Sequence, residues 1–91
     1  MMSPSVVSVQ PTDDYKLIVS FDNSDTKLFD VSPYLDKGIF QELKDVSYFK
    51  RVSVAFGSVE WPNEQDFSYD TLYLLGGNLT EILQYNQKAD R

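Results

Sequence analysis

The chain has 91 residues and a formal net charge of −6, from 14 acidic and 8 basic side chains, and is 42% hydrophobic with six Phe, six Tyr and one Trp. Those totals describe one globular domain (1-91) with many large core side chains, neither disordered nor long enough for a second core. Because the sequence holds no Cys and no His, disulfides, thiol nucleophiles, imidazole bases and conventional zinc sites are excluded.

The acidic excess is spread evenly, and the only adjacent basic pair is Lys50-Arg51. Direct nucleic-acid binding needs several phosphate neutralisations, and anionic membrane surfaces repel the same charge, so neither is expected as a partner. No run approaches the roughly 18 apolar residues of a membrane span, and the N-terminus lacks a basic region followed by an apolar one. A cytoplasmic location is the expectation.

In chain order, Ser5 to Pro11 is short and β-branched and reads as a first strand, ended by a proline that cannot donate to a ladder. Tyr15 to Asp22 alternates, with Tyr15, Leu17, Val19 and Phe21 on one face. Asn23-Ser24-Asp25 makes a loop, and Lys27 to Val31 returns to complete a hairpin. Ser32-Pro33 looks like a helix cap followed by proline at the first helical position, and Gly38 ends that turn. Ile39, Phe40 and Leu43 then sit at helical spacing, and Asp45 or Ser47 caps a further turn with Tyr48 and Phe49. This middle stretch is expected to form a lid, with Leu35, Phe40, Leu43 and Phe49 pointing inward.

Val52 to Asp70 carries the strongest strand pattern. Val52, Val54 and Phe56 alternate with Ser53, Ala55 and Gly57, then Val59 and Trp61 alternate with Ser58 and Glu60, so a hairpin turns near Phe56-Gly57-Ser58. Trp61-Pro62-Asn63 ends the strand. Ser68 caps a helix with Asp70 in its first turn, and Gly76-Gly77 stops it near Leu75. The core is expected over about 5-75. Asn78 with Glu81 resembles a capping box opening a C-terminal helical tail over 76-91, with Leu79, Ile82 and Leu83 as an apolar stripe. The fold class is α+β: a small antiparallel sheet of about four to five strands with short helices packed on one side.

Two groups of residues carry candidate function. Glu60, Asn63, Glu64, Asp66 and Asp70 offer oxygen ligands for a divalent cation, but their spacing fits no EF-hand loop, and turn, strand and dipole roles account for each singly. Trp61, Tyr69, Tyr73 and the Leu79/Ile82/Leu83 stripe are the candidates for contact with another protein, set against ordinary core packing. No nucleophile elbow, Ser-x-x-Lys motif or glycine-rich phosphate loop occurs, so no catalytic residue and no cofactor is assigned.

Taken together, these pieces resemble a small bacterial family, domain of unknown function 2442, over roughly residues 6–75. The resemblance rests on the Tyr15-x-Leu17-x-Val19-x-Phe21 strand, the Phe29-Asp30-Val31-Ser32-Pro33-Tyr34-Leu35 return, and Gly38-Ile39-Phe40-x-x-Leu43 with Phe49 and Val52. Its most specific part is Val59-Glu60-Trp61-Pro62-Asn63-x-x-Asp66-x-Ser68-x-Asp70-Thr71-Leu72-Tyr73. Relatives often have Asp-Gly where this chain has Asn23-Ser24-Asp25. The resemblance implies a compact α+β domain with a curved antiparallel sheet, and it supplies no activity. Some relatives look fused to helix-turn-helix domains, and others are similar to the partner half of toxin–antitoxin-like pairs. The fourteen residues after Gly77 are too few for a helix-turn-helix, so a DNA-linked role is expected only through a partner.

The expectation is a non-enzymatic protein-interaction module, with an acidic surface suited to a basic partner and with a homodimer as another outcome. The alternative is a ligand- or metal-binding domain built on the acidic Trp-Pro-Asn turn.

Overall fold

A computed structural model describes residues 3–79. The first three strands are β1 (Val6–Pro11), β2 (Lys16–Phe21) and β3 (Thr26–Asp30), joined as an antiparallel meander. The alternation in β2 explains its place at the centre. Leu17, Val19 and Phe21 are buried, while Lys16, Ile18 and Ser20 are half-covered on the other face. A bulge between Val6 and Ser8 interrupts the β1–β2 register, and Val7, in that interruption, is exposed.

The middle stretch folds as short helical turns. Ser32–Tyr34 and Gly38–Lys44 are 3-10 helices, and α1 spans Val46–Phe49. Asp45 caps α1, its carboxylate accepting from the Ser47 amide at 3.0 Å. The first turn differs from expectation: Ser32 makes no side-chain cap, and the Asp30 carboxylate accepts from the Ser32 amide at 2.9 Å. Asp30 therefore orders the entry by an Asx-type turn. Leu43 and Phe49 are buried and Leu35 and Phe40 pack against the core, as the lid reading requires.

β4 (Ser53–Ala55), β5 (Ser58–Glu60) and β6 (Asp66–Phe67) form a second antiparallel sheet. Then α2 (Tyr69–Leu75) begins at Ser68, whose hydroxyl accepts from the Thr71 amide at 3.3 Å. After Gly76, β7 (Gly77–Asn78) pairs antiparallel with β3. The α+β, antiparallel reading stands, but among the described residues the strands divide into a four-stranded sheet, β1-β2-β3-β7, and a three-stranded one, β4-β5-β6. β6 and β7 are two residues each, too short to leave any period in a sequence. Gly77 and Asn78, expected to open the tail, belong instead to the sheet. The rest of the expected tail, residues 80–91, lies outside the described residues.

The two sheets meet at β1, where the Val6 amide donates to the Gly57 carbonyl at 2.8 Å. Between them lies an aromatic core centred on Phe67, whose ring is 5.0 Å from Phe29, 5.1 Å from Tyr34, 5.0 Å from Phe40 and 6.0 Å from Trp61. A two-residue strand thus carries the ring that unites sheet, lid and turn.

Candidate functional site

The Trp-Pro-Asn turn is the densest polar construction in the chain. It closes on itself, with the Trp61 amide donating to the Gln65 carbonyl at 2.9 Å and the Glu64 amide to the Trp61 carbonyl at 3.1 Å. Trp61 is 1% exposed, and its indole N–H donates to the Phe49 carbonyl at 2.7 Å. Its ring leans on Phe49 at 5.8 Å. The strand before it and the proline after it fix this direction, so the indole tethers turn to lid.

Gln65 is the only buried polar side chain among the described residues, at 1% exposure. Its carbonyl oxygen accepts from the Tyr48 hydroxyl at 2.7 Å, and its amide donates to the Ile39 carbonyl at 3.0 Å and to Glu42 at 2.9 Å. Asn63 completes the network: its backbone amide donates to the Tyr48 hydroxyl at 2.9 Å and its side-chain amide to Glu42 at 2.7 Å. The Glu42 carboxyl is held below its ordinary value, first by the Asn63 hydrogen bond and then by that from Gln65. Among the described residues no buried side-chain nitrogen or oxygen lacks a partner. A network so fully satisfied binds the turn to the lid.

The acidic residues do not converge. Glu60 and Asp66 face each other across β5 and β6, both exposed, while Asp70 lies in the first turn of α2. Among the described residues no group of three acidic side chains is close enough to hold a metal ion. Asn63, grouped with them in the sequence, points instead to Glu42.

The proposed contact residues are also redistributed. Trp61 is enclosed in the core and offers no surface. Tyr69 is half-buried against the core, with its amide donating to the Ser58 hydroxyl at 3.0 Å. Tyr73 packs edge-on against Phe21 at 5.1 Å, and its hydroxyl donates to Asp25 at 2.5 Å. Lys27 lies over the Tyr73 ring at 4.6 Å. The Tyr73 hydrogen bond holds the Asp25 carboxyl below its ordinary value and pushes the Tyr73 phenol up. Tyr73 is therefore a clasp between α2 and the β2–β3 loop. Leu79 is half-buried at the last described position, and Ile82 and Leu83 lie outside the described residues.

What the sequence did not single out is the set of large apolar groups left outside. Leu74 and Leu75 on α2 are 72% and 66% exposed, and Phe56 at the β4–β5 turn is 103% exposed. Phe56 falls in the strand alternation with Val52 and Val54, and Val54 is itself exposed. The place of Phe56 in the turn removes it from that alternation. The Phe-Gly pair at the hairpin turn was the available signal.

No helix among the described residues is long and apolar enough to cross a membrane. Comparison with curated proteins found no match, and comparison with solved structures found none either. The family model described as a protein of unknown function, DUF2442, matches residues 6–76. With that match over most of its length and the Trp-Pro-Asn turn at its organising centre, the chain belongs to the DUF2442 family.

Proposed function

We propose that this chain is a non-enzymatic interaction module that binds a basic protein, acting as the neutralising or regulatory member of a two-protein pair. The observation that carries the reading is the pair of adjacent leucines, Leu74 and Leu75, exposed on α2 while the aromatic side chains of the same helix, Tyr69 and Tyr73, turn to the core. A helix that spends its aromatics on packing and leaves two leucines in water is built to be covered. The formal charge of −6 favours a basic partner by complementarity and speeds encounter with it. The absence of Cys and His from the sequence, and the full internal pairing of the Trp-Pro-Asn turn, support a binding role over a catalytic one.

The test is recovery of the tagged full chain from its native host in mild salt, in parallel with a Leu74→Ser/Leu75→Ser variant of equal melting temperature. The expected result is one basic polypeptide held by the wild type and lost from the variant. Retention by the variant would remove the α2 surface from the reading, and a wild-type chain recovered alone would remove the reading itself.

A further inference from the structure

The β4–β5 hairpin ends in a choice of residue that folding does not explain. Phe56 and Gly57 are the two central residues of a two-residue loop between Ala55 and Ser58, and both have positive φ, 52° and 78°. That is the signature of a type I′ turn, in which Asn-Gly is favoured and a bulky residue at the first position is strained. Phe56 accepts the strain and buries nothing, being 103% exposed.

The tip is also held still. Gly57 accepts a hydrogen bond from the Val6 amide at 2.8 Å, and a Cβ there would meet the Ser5 side chain at 3.1 Å. The phenyl group thus projects into solvent from a backbone braced against β1. An aromatic presented from a pre-formed turn is the kind of group that anchors interfaces, because the backbone needs no ordering on contact.

Charge identifies the occupant. On one side Ser5 leads to Asp22, whose amide donates to the Ser5 carbonyl at 2.9 Å and whose carboxylate accepts from the Ser5 amide at 3.3 Å. On the other, the Ser58 hydroxyl accepts from the Tyr69 amide at 3.0 Å, which brings Asp70 next to the hairpin. Neither carboxylate belongs to the ion pairs formed among the described residues, which join Lys16 to Asp14, Lys44 to Asp36 and Lys50 to Asp13. A second copy carries the same overall charge of −6, and like net charges disfavour self-association.

We propose that Phe56 is the anchor by which the chain docks into an apolar pocket rimmed by lysine or arginine on a partner protein. The proposal rests on the reading that the chain binds a basic protein, and it adds a second contact to the α2 leucines.

The experiment uses the polypeptide recovered with the wild-type chain, purified and titrated against full-length wild type, Phe56→Asn, Phe56→Leu and Asp22→Asn/Asp70→Asn, with a melting curve for each. Asn accepts positive φ, so Phe56→Asn is expected to melt at or above the wild-type temperature while binding at least ~30-fold more weakly. Phe56→Leu is expected to keep most of the affinity, and the double Asp variant to lose it mainly through slower association. Binding by Phe56→Asn within about threefold of wild type overturns the proposal, since a hot spot costs more than that. If that variant binds and Leu74→Ser/Leu75→Ser does not, this inference alone fails. If the wild type recovers no partner, the underlying reading fails and takes the inference with it. A wild type that recovers only its own copies overturns the assigned occupant.

Discussion

At the scale of single residues, Trp61, Gln65 and Glu42 hold the molecule's most specific contacts. Replacing Trp61 by Phe removes the indole donor from the Phe49 carbonyl, leaving it only the longer bond from the Val52 amide, and opens space beside Phe49 and Phe67. The expected cost is about 2–4 kcal/mol, read from denaturant unfolding. Glu42 contributes a dependence on pH. Its folded-state value lies below its ordinary 4.5, so its contribution is present above that value and fades as pH falls through the folded one. Glu42→Gln is therefore expected to be less stable than wild type near pH ~7, with the gap narrowing as pH falls below the ordinary 4.5. A gap that stays constant across that range would mean that the carboxylate charge is not what Asn63 and Gln65 recognise.

At the scale of elements, what the sequence made legible follows from periodicity and turn chemistry. β2 was readable because its alternation is set by a buried face, β1 from its β-branched run, β3 as the return after the Asn23-Ser24-Asp25 loop, and α2 because Ser68 and Asp70 announce its start. The hairpin turn after β4 was readable from Phe56-Gly57-Ser58. β6 and β7 were not legible: their two residues each pair through backbone atoms, which any side chain permits. Nor was the Gln65 network, because a buried glutamine becomes identifiable only when Tyr48, Ile39 and Glu42 are brought around it from earlier in the chain. Three of the candidate contact residues, Trp61, Tyr69 and Tyr73, are aromatics on short elements. In so small a domain, aromatics are the first side chains the core claims.

Gly76 joins two of these elements. A Cβ at that position would stand 2.5 Å from the Leu72 carbonyl oxygen and 3.0 Å from the Lys27 side chain. Gly76→Ala is expected to push α2 away from β3, costing roughly 1–3 kcal/mol and raising amide exchange in β7 ahead of the rest of the sheet. Unchanged exchange at Gly77 and Asn78 would contradict the close approach as the reason for glycine.

At the scale of the whole molecule, two sheets and a lid close on one aromatic core, and the Trp-Pro-Asn turn is consumed in holding them together. The groups available to the outside are then a set of exposed apolar side chains and an excess of carboxylates. That division of labour is the basis for the proposed binding role. The measurement that tests it most directly is native mass spectrometry of the chain purified from its host, repeated across a salt series from about 0.05 to 0.5 M, over which surface charges become screened. The account predicts a basic polypeptide at fixed stoichiometry in low salt that dissociates progressively as salt rises. A chain that remains alone, or only with its own copies, at the lowest salt would contradict it.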